Sequence, residues 1–247
     1  MTTAAWASRR PPMDLTFKVI HHSYQVKLAL TALLIIGAGV PGNANVLGTF
    51  RAAGLNTAPP FAATVSAVTA AEVPYTWRPG CPVAPAALRM LHLRYWGFDA
   101  TAHTGTIVVN VSVVNSVIKV FRTLYNERFP VKEMVPEDHY RGNDNAAAAA
   151  DDTSGFNCRN AVAPGPPQWS VHAYGEAIDV NDVQNPYVYG PIIIPPAGKA
   201  YLDRSDVRPG MAVPGGELVD AFKSVGWYWG GRWTGSPDYQ HFSLTGG

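Results

Sequence analysis

The sequence predicts an α+β fold, with a small antiparallel sheet flanked by helices and long loops. Three observations lead there. Short strand-like segments and helix-period segments alternate without the repeating βαβ rhythm of a parallel sheet. The 23 Gly and 21 Pro in 247 residues describe a chain rich in turns and loops. A hydrophobic content of 47% against 15% charged residues is too high for global disorder and ample for a sizeable core.

The elements follow in chain order. Leu28 to Val40 is an uncharged, mostly apolar run, preceded by Lys18 and Lys27 and followed by Pro41-Gly42-Asn43-Ala44. A basic region, an apolar stretch and a small-residue exit are the parts of an export signal, so residues 1–44 are expected to be a signal peptide or N-terminal anchor, with cleavage after Ala44. The competing reading is a buried core helix. Arg9-Arg10 lie far upstream of the apolar run, which makes a twin-arginine signal weak. No window reaches the roughly 18 consecutive apolar residues of a spanning helix. Residues 45–72 are Ala-, Thr- and Pro-rich and read as a tether or lightly structured lead-in. Export puts Cys81 and Cys158 in an oxidising compartment, where they form one possible disulfide; the alternative is two separate buried thiols.

From residue 73 to residue 247 the chain reads as one domain. Thr106 to Val111 is a strand candidate. Val113, Val114, Val117, Ile118, Phe121, Leu124 and Tyr125 then recur at helical spacing, with Ser112 as N-cap and Pro130 closing the segment. Val131 to Val135 reads as a second strand. Arg141 to Ser154, polar apart from Ala146–Ala150, is expected to be a surface excursion with one helical turn. Glu176 to Asn181 and Tyr239 to Leu244 are strand-like, and Glu217 to Val225 between them is a short amphipathic helix ended by Gly226. With 19 Lys+Arg against 18 Asp+Glu, the formal charge of +1 supplies no electrostatic footprint for nucleic acid.

Chemistry concentrates near the C-terminus. In the strand beginning at Glu176, Ala177 and Asp179 share one face while Ile178 and Val180 share the other, so Asp179 lies beside a small neighbour with room for a ligand. Gly175 permits a sharp turn, which lets His172 converge on Asp179. Downstream, Asp238 and His241 are three apart and would face opposite ways on a straight strand. They share a site only if Asp238 lies in a turn before the strand, as Pro237 allows. His172, Asp179 and His241 then offer two imidazoles and a carboxylate, the donor set of a catalytic zinc with a fourth position for water. Zinc lowers the pKa of that water to roughly 7, and Asp238 is the free carboxylate to take its proton. The bland alternative is a satisfied core histidine and a strand-end aspartate.

A resemblance sharpens this. His172-x6-Asp179 followed by Asp238-x-x-His241 resembles the M15 family of zinc D-alanyl-D-alanine carboxypeptidases and L-alanyl-D-glutamate endopeptidases, which groups with lysostaphin-type and hedgehog-type domains. Ser170-x-His172-x-Tyr174-Gly175-x-Ala177-Ile178-Asp179 is similar to its first block. Gly226-Trp227-Tyr228-Trp229-Gly230-Gly231-x-Trp233, ahead of Asp238-Tyr239-Gln240-His241-Phe242, is similar to its second. The strong similarity covers Phe156 to Phe242 and fades back towards Cys81. The resemblance implies Zn2+ on His172, Asp179 and His241, with Asp238 as general base and then acid. It also implies an arginine on the substrate carbonyl, with Arg159 the first choice and Arg141 the second. Ser170 and Trp229 join these two as expected substrate-side residues. A disulfide at Cys158 would fix the backbone beside Arg159.

The expected protein is therefore an exported bacterial peptidase, secreted or held in the cell envelope, acting on peptidoglycan or its peptide precursors. A domain of the hedgehog type that binds the cell wall without turnover is the alternative. His92, His103 and His139 are expected to be structural, and Glu176 to face solvent.

Overall fold

The computed structural model describes residues 58–162 and 166–246; the expected export signal and the first part of the lead-in lie outside them. Eight strands, three α-helices and several 3-10 turns build an α+β architecture. Strands β1 (Ala63–Ala67), β2 (Leu88–Trp96) and β3 (Ala102–Asn110) form an antiparallel sheet in that order. Helix α1 (Val114–Glu127) packs its Val117, Val120, Phe121, Leu124 and Tyr125 stripe onto one face of it. Along β3, Ile107 and Val109 point into that core. Val108 points into a second cluster with Leu88, Phe156 and Cys158 on the opposite face. Both faces are covered, so burial runs nearly continuously through the end of β3.

The second sheet is smaller. Strands β4 (Ala177–Asp179), β8 (His241–Ser243) and β7 (Tyr228–Trp229) pair antiparallel in the order β4-β8-β7. Its register sets Ile178 opposite Phe242, and Asp179 opposite His241. Ile178 and Phe242 are fully buried in the main core, where Phe222 of α3 (Glu217–Lys223) stacks on Phe242 at 4.1 Å. The sheet's apolar face is thus anchored to the core, while the alternate residues are left to face a cavity. Strands β5 (Tyr187–Tyr189) and β6 (Ile192–Ile194) form a separate hairpin around Gly190. Helix α2 (Asp144–Ala149) is short.

Several expectations need correcting. Ala63–Ala67 within the lead-in is a sheet strand, paired to β2 along its length. Val131 to Val135 is no strand, although Val131 N–H bonds to the Trp96 carbonyl and Thr106 N–H to the Met134 carbonyl, so it runs alongside the first sheet. Asn110, not Ser112, provides the cap before α1, its side chain accepting from Ser112 N–H. The stretch Asp151–Ser154 is buried rather than superficial, because it passes beside β4. Glu176 is not free in solvent but accepts a hydrogen bond from Ser112 Oγ at 3.1 Å. Among the described residues, no helix is long and apolar enough to cross a membrane.

Candidate metal centre

Each ligand-bearing position has a local cause. Ser170 opens a 3-10 turn, Val171–Tyr174, by accepting from His172 N–H at 3.3 Å. Gly175 closes it at φ +69°, packed so tightly that an added Cβ would stand 2.7 Å from Asn110 N. The chain therefore doubles back, and the buried His172 ring comes to lie beside β4. Asp179 ends that strand, directly across from His241 on β8. Asp238 sits in the turn before β8, with its N–H on the Gly230 carbonyl. Any side chain at residue 230 would strike Asp238 O at 2.8 Å and His241 Cβ at 3.2 Å, so this approach requires glycine.

The three side chains meet in a small triangle. His172 Nε2 lies 3.1 Å from His241 Nδ1 and 3.2 Å from Asp179 Oδ2, and His241 Nδ1 lies 3.1 Å from Asp179 Oδ1. His172 Nδ1 is 2.7 Å from the Gly155 carbonyl and must donate to it, which leaves Nε2 with its lone pair facing the other two. All three residues are buried. Two imidazoles and a carboxylate converging in a buried space are a donor set suited to a cation. The spacing fits too, because ligands about 2.0–2.1 Å from a tetrahedral ion stand roughly 3.3–3.4 Å apart.

Charge pairing within the cluster is strong. Burial alone would lower the His172 imidazolium, yet the adjacent Asp179 carboxylate outweighs it and carries the pKa up to about 9. Burial likewise opposes the charge on Asp179, but the two imidazoles more than offset it and hold its carboxyl far below the usual range. Burial pushes His241 down. Asp238 is driven well above the ordinary carboxylate range, first by burial and then by the Asp179 charge. Its Oδ1 is buried with no hydrogen-bond partner.

A cavity of about 510 Å³ opens onto this cluster, lined among others by Arg159, Ser170, Asp238, Gln240, Trp233 and the hairpin residue Tyr187. A larger cavity of about 800 Å³, around Trp96, Phe98 and Met211, contains none of these residues. Of the expected substrate-side residues, Arg159 and Ser170 line the smaller cavity, and Arg141 and Trp229 do not. Arg141 is exposed at the end of a 3-10 turn. Trp229 is a core residue, stacked on Phe242 with its Nε1–H on the Tyr239 carbonyl at 2.8 Å. Trp233, in the same aromatic block, is the tryptophan that reaches the site, 5.2 Å from the His241 ring. Cys81 and Cys158 are disulfide-bonded, next to Arg159 in sequence.

The site also contains residues that sequence reasoning passes over. Asp144 pairs with Arg159 at 2.8 Å, and nothing in its sequence context marks it. Tyr187, Tyr189 and Ile194 bring the β5–β6 hairpin to the cavity wall. That hairpin is signalled by two β-rich runs around Gly190-Pro191. The Gly155 carbonyl is a backbone group and carries no signal at all.

Fold and cluster together define an α+β domain with a buried His-Asp-His metal centre beside a free carboxylate. Residues 164–244, about a third of the chain, match the family model described as D-alanyl-D-alanine carboxypeptidase. That segment holds all three candidate ligands and Asp238, and the match supports a peptidase of that kind. No curated protein and no solved structure matches the chain.

Proposed function

We propose that this chain is a zinc peptidase of the exported type that hydrolyses amide bonds in peptidoglycan stem peptides or their precursors. The observation that carries the proposal is one cavity lined by His172, Asp179 and His241 together with the unpartnered carboxyl of Asp238. Two imidazoles and one carboxylate suit zinc and leave an open position, the arrangement of a catalytic rather than a structural site. His172 Nε2, the Asp179 carboxylate and His241 Nδ1 would hold the ion. When bound, zinc supplies Lewis-acid polarisation of a carbonyl and acidifies water in the site to a pKa of roughly 7.

The remaining work belongs to the chain's own groups. Asp238, in the same cavity as the three ligands, is placed to take a proton from the attacking water and return it to the departing amine. Arg159 reaches the same cavity and is oriented by Asp144, so its guanidinium can steady the carbonyl oxygen as negative charge grows there. Tyr187 and Trp233 offer flat apolar walls to a peptide backbone. The wall substrate and the export follow from the family resemblance and from the N-terminal pattern, not from the site's geometry.

The test is mass spectrometry of peptidoglycan fragments, including stem peptides ending in D-Ala-D-Ala, after incubation with the full chain. It is run with zinc, with a chelator, and with Asp238→Asn. Products that require both zinc and Asp238 are expected, and their masses identify the bond cut. Zinc-loaded protein that cleaves no stem peptide would refute the proposal.

A further inference from the structure

Glu137 is among the most deeply buried acidic residues of the described chain, 2% exposed, and the proposed reaction does not use it. It opens the 3-10 turn Glu137–Tyr140 and sends its carboxyl inward. Oε1 accepts from Ser154 Oγ at 3.1 Å, and Oε2 accepts from Asn157 Nδ2. Those two donors flank Gly155, whose carbonyl holds His172 Nδ1–H.

The same four residues are tied to both ligand backbones. Ser154 and Asp179 exchange two backbone hydrogen bonds, at 3.1 and 3.0 Å. Asn157 N–H donates to the His172 carbonyl at 3.2 Å. Segment 154–157 is therefore the strap that sets where His172 and Asp179 stand and which His172 nitrogen keeps its proton. Above about 7, the value to which burial raises it, the Glu137 carboxyl is ionised and accepts from both donors. A neutral amide of the same shape would present a donor to one of them.

We propose that Glu137 is a positioning residue for the metal centre: it clamps Ser154 and Asn157 so that the Gly155 carbonyl fixes His172 as the Nδ1–H tautomer, with Nε2 free to bind metal. The clamp stands one hydrogen-bonded layer behind the ligand, where partners govern ligand orientation and basicity. The inference rests on the metal-site part of the proposed function and not on the substrate.

The test uses the full chain, Glu137→Gln, and the double variant E137Q/N157D, which exchanges donor for acceptor across the Glu137–Asn157 contact and conserves charge. Zinc affinity is measured at about pH 8 by competition with a chelator, and the His172 tautomer by imidazole nitrogen NMR on metal-free protein at a pH above the His172 imidazolium transition. Glu137→Gln should lose about 10–100-fold in zinc affinity and mix the His172 tautomers, and the double variant should recover most of both. A folded Glu137→Gln with parental affinity and a parental tautomer overturns the proposal, as does a folded double variant that recovers nothing. If Glu137→Gln does not fold, Ser154→Ala decides: a smaller loss of affinity supports the clamp, and none overturns it. Neither readout needs a peptide substrate, so protein that binds zinc and cleaves nothing sinks the peptidase reading alone.

Discussion

At Asp238, a carboxyl oxygen is buried without a hydrogen-bond donor beside three converging ligand atoms, an expense that a purely structural metal site has no reason to carry. Asp238→Asn keeps the shape and removes the proton carrier. It should lower kcat by about 10²–10⁴-fold, with the zinc content of the purified protein unchanged. His172→Ala should instead reduce zinc content itself, because it deletes a ligand. The two tryptophans separate in the same way. Trp233→Ala, on the cavity wall, is expected to raise KM with little change in Tm. Trp229→Ala empties a core position stacked on Phe242 and should lower Tm. Steady-state kinetics and a thermal melt on the pair of variants check both statements.

Strands β4 and β8 are each only three residues long, too short to hold a register by backbone pairing alone. Their stability comes from Ile178 and Phe242, which occupy the face opposite the ligands and pack into the core that α1 and α3 complete. Phe242→Ala should therefore cost about 3–5 kcal/mol in denaturant unfolding and weaken zinc binding as well, although residue 242 is no ligand. This arrangement was legible in advance where chemistry and periodicity coincide. Ala177 and Asp179 alternate with Ile178 and Val180, and the required turn at Asp238 is present ahead of β8. Legibility failed where tertiary partners decide. Val131–Val135 has strand composition but ends as an extended run beside the sheet. Arg159 is preferred to Arg141 in sequence only through the resemblance, and it is the fold that takes Arg159 to the cavity and leaves Arg141 exposed.

Across the whole molecule, buried acids and a single covalent link set how stability responds to conditions. Burial pushes Asp152 up to about 7 from an ordinary 3.8, and Glu137 moves in the same direction. Between those values these two carboxyls hold more protons in the folded chain than in the unfolded one, so their contribution to stability should fall as pH rises from about 4 to about 7. Unfolding of metal-free protein across that range checks the slope, and Asp152→Asn should flatten part of it. The disulfide joins residues 77 positions apart, so reduction and alkylation should cost about 2–4 kcal/mol in unfolding free energy. Residues Asp179 and His241 also lie far apart in sequence, 62 positions, yet face each other directly across a two-strand contact. The chain between them carries α3 and β7, which belong to the core and the sheet, and the β5–β6 hairpin, which leaves the sheet to reach the cavity wall. Because closure entropy grows only slowly with loop length, that hairpin can be lengthened, shortened or exchanged while the three candidate ligands and Asp238 stay in place. Such a layout lets the wall of the cavity be redrawn between two fixed posts.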